Sequence, residues 1–463
     1  MDPESFRDQL YNVDTSGRRV GFFPKRPKGR FFNKRVIVST ILLILFFGIP
    51  WLSWNDEPLF LLNILERKFI IFGFKFWPQD FLLFALFMVT FFIFVFLFTA
   101  VLGRIWCGWA CPQTIFLETV YRRIEFWIEG DAGKQKRLKA ADWNWEKVWK
   151  RTLKHSIFVF IAILVSHTVI AIFLGMDTVL SYITESPANH PILFAFVVLN
   201  SAAFYYVFAW FREQACIYMC PYGRLQGVMI DQDSLAISYD HVRGEPRGKI
   251  KRGATTSDKG DCIDCKLCIA VCPTGIDIRN GNSQLECVSC TACIDACDEV
   301  MDKIKKPRGL IRYATQRQIE TKSKFKLTGR AYLYMAVLAI FIGIFSTLIF
   351  TSGDLKLTLL RSPGQTYTLS PDGNVTNLYN LSVVNKSDKE RHLSFKLPGS
   401  DGKVTVLGAE DLFLKAGESA NGALLVELPQ DEIEGMSFEL EIDIVEDGKV
   451  ARQLSTKFNG PMF

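Results

Sequence analysis

Eight of the twelve cysteines in this 463-residue chain lie between positions 262 and 297, in a pattern suited to holding iron. They form two runs with the same C-x2-C-x2-C-x3-C spacing: Cys262, Cys265, Cys268 and Cys272, then Cys287, Cys290, Cys293 and Cys297. A cubane iron–sulfur cluster needs four thiolates, and three closely spaced cysteines wrap three of its irons. The fourth cysteine of each run, a helical turn further on, reaches the other cluster. The pattern therefore predicts two [4Fe-4S] clusters.

The interleaved spacing assigns ligands to each predicted cluster. The first takes Cys262, Cys265, Cys268 and Cys297, and the second takes Cys287, Cys290, Cys293 and Cys272. The stretch resembles a bacterial two-cluster ferredoxin, although Asp298 stands where the second run would carry proline. A zinc site or a disulfide framework is the alternative interpretation. Zinc sites need four ligands rather than two interleaved sets, and disulfides need an oxidising compartment, so clusters are favoured.

Acidic residues lie next to these cysteines along the chain. They are Asp261, Asp264, Asp295, Asp298 and Glu299. Negative charge near a cluster disfavours an added electron, so we expect low reduction potentials.

The remaining four cysteines form a second repeated pattern. The motif C-x3-C-P occurs as Cys107, Cys111 and Pro112, and again as Cys216, Cys220 and Pro221. Each copy follows an apolar run and has an arginine nearby, Arg104 or Arg212. Residues i and i+4 share one helical face, and a following proline tends to end a helix, so the two pairs can meet and present four thiolates. Such thiolates suit Cu(I), zinc or further iron–sulfur chemistry, and Met219 adds a thioether. The alternative is inert thiols on apolar helices, which the repetition of the motif disfavours.

Five apolar runs are long enough to cross a lipid bilayer. They lie near residues 36–52, 81–102, 156–174, 191–211 and 332–350. A hydrocarbon core is crossed by about 20 apolar residues in a helix. Trp143, Trp145 and Trp149, mixed with Lys and Arg before the third run, predict an interfacial segment. His167 lies inside the third run and is a functional candidate, but a hydrogen-bonded histidine in the bundle is favoured.

The distribution of Lys and Arg predicts the orientation of these runs. Residues 1–35 are polar and basic, the loop 103–154 holds 11 Lys and Arg, and the loop 175–190 holds none. The positive-inside rule therefore places the N-terminus and the cysteine-rich stretch in the cytoplasm, where thiols stay reduced. The net charge of +6 combines a basic first part with an acidic C-terminal part. This asymmetry fits two sides of a membrane, and no nucleic-acid partner is expected.

The C-terminal part alternates apolar and polar residues over short runs, such as LYNLSVVN, ALLVEL and FELEIDIV. About seven such strands favour an immunoglobulin-like sandwich. The predicted fold is a multidomain membrane protein with a five-span α-helical bundle, a cytoplasmic two-cluster ferredoxin-like α+β insert and a C-terminal all-β sandwich. The expected order is a cytoplasmic tail (1–35), four spans with both C-x3-C-P motifs (36–225), the dicluster domain (226–331), a fifth span (332–352) and a periplasmic sandwich (353–463).

Several long motifs together resemble the FixG/CcoG/RdxA family of cytochrome c oxidase accessory proteins. These are FWPQDF (76–81), RIWCGWACPQT (104–114), EQACIYMCPYGRLQ (213–226), GDCIDCKLCIAVCPTGIDIR (260–279), CIDACDEVMDKIKKPRGLIRY (293–313) and NLYNLSVVNKS (377–387). The resemblance implies a bacterial inner-membrane protein that helps to assemble the cbb-type haem–copper oxidase. It further implies reduction of Cu(II) to Cu(I), with copper as substrate.

The resemblance suggests how the motifs share this work. The eight clustered cysteines would carry electrons from a soluble donor. The matching C-x3-C-P positions (Cys107, Cys111, Cys216 and Cys220) are then the natural candidates for the catalytic copper site, with Met219 as an added ligand. The expected partners are the oxidase or its copper-delivery factors and the lipid membrane, and a homodimer is left open. Two other hypotheses remain: a quinol-linked membrane electron carrier, and a non-enzymatic assembly scaffold.

Overall fold

The computed structural model describes residues 21–54, 57–64, 68–72, 74–76, 81–249, 259–281, 284–351 and 353–461, the last apart from 354, 365, 372, 388, 408–411, 416, 434 and 447. The first 20 residues of the expected tail and most of the FWPQDF motif lie outside the described residues. Two compact units are present, one within Met1–Ile64 and Leu86–Ile342 and the other within Leu65–Ala85 and Gly343–Phe463.

The α-helices of the described residues are, in chain order, α1 (Arg30–Gly48), α2 (Phe81–Leu102), α3 (Ile105–Trp109), α4 (Pro112–Ile115), α5 (Arg122–Ile128), α6 (Ala132–Ala140), α7 (Trp145–Leu174), α8 (Met176–Thr184), α9 (Pro191–Tyr206), α10 (Pro221–Met229), α11 (His241–Gly244), α12 (Leu267–Ala270), α13 (Ala292–Lys303), α14 (Gln316–Thr321) and α15 (Gly329–Thr351). Wider π-helical turns occupy Phe116–Tyr121, Val207–Phe211 and Ala215–Met219.

The strands are β1 (Ser53–Trp54), β2 (Glu57–Pro58), β3 (Phe60–Asn63), β4 (Lys68–Ile71), β5 (Phe74–Phe76), β6 (Ala236–Tyr239), β7 (Ile311–Ala314), β8 (Leu355–Arg361), β9 (Thr368–Leu369), β10 (Val375–Asn385), β11 (Arg391–Lys396), β12 (Lys403–Val406), β13 (Leu412–Leu414), β14 (Ser419–Leu428), β15 (Ser437–Glu446) and β16 (Lys449–Asn459).

Among the residues that the structure describes, five helices are long and apolar enough to cross a membrane, as the five apolar runs predict. Spans one to five are Arg30–Trp51, Leu82–Leu102, Trp145–Leu174, Pro191–Phe211 and Gly329–Thr351. Span three begins at Trp145, well before the apolar run that predicted it, because Asn144 caps the helix by accepting a hydrogen bond from the backbone N–H of Lys147 at 2.8 Å. The predicted interfacial segment thus forms the first turns of the same helix.

Aromatic rings hold spans three and four together. Tyr121, Phe158 and Phe208 are almost fully buried. The ring of Tyr121 stacks on Phe208 at 4.9 Å between centroids and meets Phe158 edge-on at 4.7 Å. Such pairs add stability beyond the apolar area that they bury. They fix the π-helical turn 116–121, just after the first C-x3-C-P motif, against both spans.

The dicluster stretch lies beside a short antiparallel pair, β6 and β7, and is tied to the start of span one. Ile237 pairs with Tyr313 in this ribbon. Helix α13 reaches span one through Asp295, whose carboxylate accepts the backbone N–H groups of Phe31 at 3.1 Å and Phe32 at 2.7 Å. The first N–H groups of a helix lack partners within it, so this carboxylate caps α1 from outside.

The C-terminal unit contains two antiparallel sheets, as the alternating runs predict. One has the order β12-β14-β10-β8, with β9 on β10, and the other has the order β13-β11-β15-β16. Their inward side chains form one core, including Tyr379, Leu424 and Phe458. The Tyr379 hydroxyl donates to the Lys457 carbonyl at 2.9 Å and joins the two sheets. The expected sandwich is therefore present.

Candidate redox centre

The eight cysteines of the dicluster stretch gather in two interleaved sets. Burial, followed by the neighbouring thiols of Cys268, Cys262 and Cys265, raises the pKa of Cys297 to about 12. Helix α13 also carries Cys293, one turn earlier. Burial, then Cys290, Cys287 and Cys272, raises the pKa of the Cys293 thiol well above its ordinary value. One face of α13 therefore supplies one thiol to each set.

A small cavity lies at the second set. Its volume is about 20 Å³. Five thiols line it, from Cys268, Cys272, Cys287, Cys290 and Cys293, and the remaining wall consists mainly of apolar side chains such as Ile276 and Val288. The donors are thus soft sulfurs in a mostly apolar space, and thiolates are the ligands that hold iron–sulfur clusters.

The acidic residues near these cysteines are paired with cations or N–H groups. The expectation of low cluster reduction potentials treats their negative charges as uncompensated. The partners are Arg243 and Lys306 for Asp261, Arg279 for Asp264, the start of α1 for Asp295, Arg30 and the Gly309 N–H for Asp298, and Lys303 for Glu299. A hydrogen bond from Arg279 lowers the pKa of the Asp264 carboxyl. Because cations or N–H groups offset these charges, the carboxylates alone no longer argue for low potentials.

Both C-x3-C-P motifs fold in the same way. The first cysteine lies on a helical turn, Cys107 on α3 and Cys216 on the π-helical turn 215–219. The second cysteine stands just before the next helix with extended backbone, at ψ 124° for Cys111 and ψ 109° for Cys220. Proline disfavours the α conformation at the residue before it and is itself favoured as the first residue of a helix. The expectation that each pair shares one continuous helical face is therefore wrong.

The two motifs nevertheless come together. Burial, then Cys111, raises the pKa of Cys107 to about 11. Burial, then Cys111, Cys107 and Cys220, raises the pKa of Cys216 to about 12. The four thiols are thus mutual neighbours, and each is half-buried. Among the described residues, no three His, Cys, Asp or Glu side chains lie close enough together to bind one metal ion in this conformation. This holds for the dicluster cysteines as well.

The first motif packs directly against the second dicluster set. A Cβ placed on Gly108 would lie 2.3 Å from the carbonyl oxygen of Ser289, the residue before Cys290. No side chain fits there, so glycine permits backbone-to-backbone contact. On the other side, Arg35 of span one donates from Nε to the Gly108 carbonyl at 2.7 Å. The backbone between Cys107 and Cys111 thus touches the loop that carries Cys290.

Arg104 joins both motifs to the same loop. Its guanidinium donates to the carbonyls of Cys287 at 3.3 Å and Leu285, and to the Gly223 carbonyl of α10 at 2.9 Å. Its planar fork holds several acceptors in fixed directions. The sequence placed Arg104 near the first motif, but its three carbonyl partners depend on tertiary contacts.

Gln226 and Tyr222 both lie beside the C-x3-C-P thiols, and sequence reasoning missed them. Gln226 is fully buried, and its Oε1 accepts a hydrogen bond from the Cys107 thiol at 3.4 Å. Both residues lie on α10, after Cys220, and the i, i+4 spacing from Tyr222 to Gln226 was the available signal. Met219 is 69% exposed.

Buried ion pairs lie beside both cysteine sites. They join Arg122 to Glu118 and Glu213, Arg212 to Glu125, and Lys154 to Glu125 and Glu129. Burial opposes the ionisation of Glu125, yet Arg212 beside it holds the pKa of this carboxyl below its usual range. Removing one partner of such a pair leaves a buried charge uncompensated, which lowers the free energy of unfolding by about 3–5 kcal/mol. Arg212 therefore positions the backbone that leads into the second motif.

Comparison with known proteins gives the family. Protein RdxB from Cereibacter sphaeroides is 34% identical over 452 residues, covering 93% of this chain and 89% of the relative. Protein RdxA from the same organism is 34% identical and covers 87% and 88%. Nitrogen fixation protein FixG from Rhizobium meliloti is 32% identical and covers 82% and 80%. The chain belongs to the FixG/RdxA family.

Family models match three parts of the chain. A 4Fe-4S dicluster domain covers residues 211–316, and a 4Fe-4S binding domain covers residues 84–135. An Ig-like fold described at the C-terminus of FixG covers residues 345–461. This member of the FixG/RdxA family is thus a membrane iron–sulfur protein with an immunoglobulin-like C-terminal domain.

The residues present fit the iron–sulfur clusters that the family implies. The donors are eight thiols in two gathered sets, and four of the five thiols around the small cavity belong to one set. Arg279 lies 4.0 Å from the Cys262 sulfur, so a cation stands beside the other set. A cluster with thiolate ligands carries negative charge, which a nearby guanidinium offsets.

Proposed function

We propose that this protein delivers single electrons from a soluble donor to the four C-x3-C-P cysteines, where Cu(II) is reduced to Cu(I) for assembly of a cbb-type cytochrome c oxidase. Each Cu(II) ion takes one electron, which the soluble donor supplies, and no covalent bond of the protein forms or breaks. The observation that carries the proposal is the contact between Gly108 and the Ser289 carbonyl, beside Cys290. It brings the two cysteine sites together without an intervening side chain.

Within this proposal, each cysteine set has a distinct role. Cys262, Cys265, Cys268 and Cys297 hold one cluster, and Cys272, Cys287, Cys290 and Cys293 hold the other. The bound clusters supply reversible one-electron storage and transfer. Of the two sets, the second carries the residues that flank Ser289, so it faces the C-x3-C-P site.

The C-x3-C-P thiols suit the product of the reaction. Cu(I) prefers soft thiolate and thioether ligands, whereas Cu(II) prefers nitrogen and oxygen in tetragonal geometry. Cys107, Cys111, Cys216 and Cys220 therefore favour Cu(I) over Cu(II). Met219 is largely exposed, so we assign it no essential role at the metal.

We further propose an orientation in the bacterial inner membrane. The dicluster domain contacts the N-terminal end of span one through Asp295. The backbone N–H of Leu235, near the start of this domain, donates to the Val101 carbonyl at the C-terminal end of span two at 3.0 Å. An even number of crossings separates such ends, so they share one side. The basic loops make this side the cytoplasm, and the sandwich domain is then periplasmic, where it can meet the oxidase or a copper-delivery factor.

The proposal predicts copper reduction that depends on the four cysteines. The protein is purified anaerobically in detergent, its clusters are reduced, and Cu(II) is added beside a Cu(I)-specific chelator. We expect one Cu(I) for each electron stored. Changing Cys107, Cys111, Cys216 and Cys220 to Ser lowers the yield of Cu(I) at least tenfold while cluster absorbance persists, and Met219→Leu retains the yield. An undiminished yield in the quadruple variant contradicts the assignment of the site.

A second candidate is a further iron–sulfur centre at the C-x3-C-P cysteines, since the 4Fe-4S binding domain model covers Cys107 and Cys111. The amounts of iron and acid-labile sulfide per chain separate the two. Two [4Fe-4S] clusters give about eight of each, and the quadruple variant keeps them all. About twelve of each in the unaltered protein, falling to eight in the variant, favours the further centre over a copper site.

A further inference from the structure

A cavity of about 610 Å³ lies between spans three and four and helix α8. Most of its wall is apolar, with Val159 and Ile163 on one side and Val197 and Val198 on the other. Ile163 and Val198 are also exposed on the outer surface of the helices. The volume lies within the range of about 300–1,000 Å³ that is usual for small-molecule sites. Such a cavity admits an apolar molecule from the lipid.

The Ser201 hydroxyl and the His167 Nε2, both in this cavity wall, have no hydrogen-bond partner among the described residues. The Ser201 hydroxyl is buried and has no hydrogen bond in the described chain. His167 pairs its Nδ1 with the Ile163 carbonyl at 2.8 Å, so Nδ1 carries the hydrogen and Nε2 is an acceptor. No described residue pairs with that Nε2. Unsatisfied polar atoms in an apolar setting cost free energy, so a ligand with matching groups would be stabilised here.

These two groups lie at a similar depth in the membrane. Asn200 donates from Nδ2 to the Ser166 hydroxyl at 3.1 Å, which sets the register of the antiparallel spans three and four. His167 and Ser201 each follow one member of this pair. Since each residue adds about 1.5 Å along a helix, the two groups differ in depth by about 3 Å. One ring can thus meet an acceptor on span three and a hydroxyl on span four.

The inner end of the cavity is also polar. The Tyr205 hydroxyl, which lines the cavity, is 2.8 Å from the His155 Nδ1. His155 in turn lines a separate polar cavity of about 370 Å³ that includes Glu129 and Lys154. A hydrogen-bonded pair thus joins the apolar cavity to a polar one.

We propose that this cavity binds the ring of an isoprenoid quinone or quinol. His167 Nε2 accepts a hydrogen bond from a quinol hydroxyl, and the Ser201 hydroxyl donates to a ring oxygen. The apolar wall contacts the ring face and the first part of the tail. A lipid acyl chain has no group for either polar atom, and the mostly apolar wall disfavours a hydrophilic ligand. The proposal does not depend on copper reduction.

The test uses the full chain in lipid nanodiscs and a photoreactive azido derivative of a short-tail ubiquinone. We expect cross-linked peptides from spans three and four, which unlabelled short-tail ubiquinone suppresses. Ser201→Ala lowers the affinity for the quinone about fivefold, and His167→Phe lowers the affinity for the reduced short-tail ubiquinol, added as competitor, by the same factor, the effect of one hydrogen bond. Ala202→Phe fills the cavity and abolishes cross-linking. The matched control is Thr168→Val, because Thr168 bonds to the Leu164 carbonyl and does not line the cavity.

Cluster absorbance and elution volume show whether each variant is folded. The absence of cross-links to spans three and four in the unaltered protein overturns the proposal. It is equally overturned if oleate competes as well as the quinone while Ser201→Ala and His167→Phe bind unchanged, which identifies an acyl-chain pocket only.

Discussion

Gly108 is the residue at which the two cysteine sites meet. Its backbone contacts the Ser289 carbonyl so closely that a methyl group would overlap with it, and Val288 lies just beyond. Neither neighbour is a flexible side chain that could move aside. The identity of this residue therefore decides how near the first C-x3-C-P motif approaches the dicluster loop.

Gly108→Ala is predicted to separate the sites. Overpacking of this kind costs about 1–3 kcal/mol, so we expect a lower thermal unfolding midpoint and slower reduction of Cu(II), with cluster content retained. Gly133→Ala is the matched control, since Gly133 lies in helix α6 and a Cβ there meets no atom within 4 Å. Equal copper reduction in the two variants would show that the contact at Gly108 does not matter for electron delivery.

For single residues, the sequence predicts which cysteines are suited to bind clusters but not which side chains contact them. The spacing of the cysteines assigns eight of them to two sets, and the structure gathers the same sets; ligation itself stays a prediction. The pairing of Asp264 with Arg279 depends on chain segments folding back, as does the contact of Gln226 with Cys107. The spacing of residues along one sequence carries no information about such contacts. The expectation of low reduction potentials rests on unpaired acidic residues, and the structure shows them paired.

Helix α1 and helix α13 show how whole elements are coupled. Asp295 lies between Cys293 and Cys297 and caps the first turn of α1 through two backbone N–H groups. A Cβ on Gly29, the residue before α1, would lie 2.2 Å from the Asp295 Cγ, so the approach requires glycine. Span one is thereby attached to the helix that serves both cysteine sets.

Asp295→Ala is predicted to weaken this attachment. Loss of a helix cap costs about 0.5–2 kcal/mol, so the thermal unfolding midpoint should fall and cluster loss on warming should begin earlier. Asp302→Ala on the same helix is the control, because its pair with Arg308 is exposed and such pairs contribute about 0–1 kcal/mol. A midpoint for Asp295→Ala no lower than that of Asp302→Ala would contradict the capping role.

Element boundaries were predicted unevenly, for physical reasons. The end of span three coincides with the end of its apolar run. Its start does not, because the charged turns from Trp145 onward are helical through capping and packing rather than through apolar content. In the sandwich, β9 and β13 are too short to show alternation, whereas β10 and β14 pair over ten residues and were visible as apolar runs.

Across the membrane and dicluster part of the molecule, the contacts form a continuous series. They lead from α13 to the Ser289 loop, from that loop to Gly108, and from Arg104 to the second motif at Gly223. The order of spans and domains could be predicted from apolar runs and cysteine spacing alone. That the two motifs can meet was expected from their repetition, but the contacts that join them, such as Arg104 on the Gly223 carbonyl, could not be predicted, since they link chain segments two spans apart.

The central claim is that electrons stored at the dicluster cysteines reach Cu(II) through the C-x3-C-P cysteines. The most direct measurement mixes pre-reduced protein with Cu(II) anaerobically in a stopped-flow instrument and follows cluster absorbance during a single turnover. We predict rapid reoxidation in the unaltered protein and in Gly133→Ala. We predict at least tenfold slower reoxidation when Cys107, Cys111, Cys216 and Cys220 are changed to Ser. Reoxidation at the same rate in that quadruple variant would contradict the account, because Cu(II) would then take electrons from the clusters by another path.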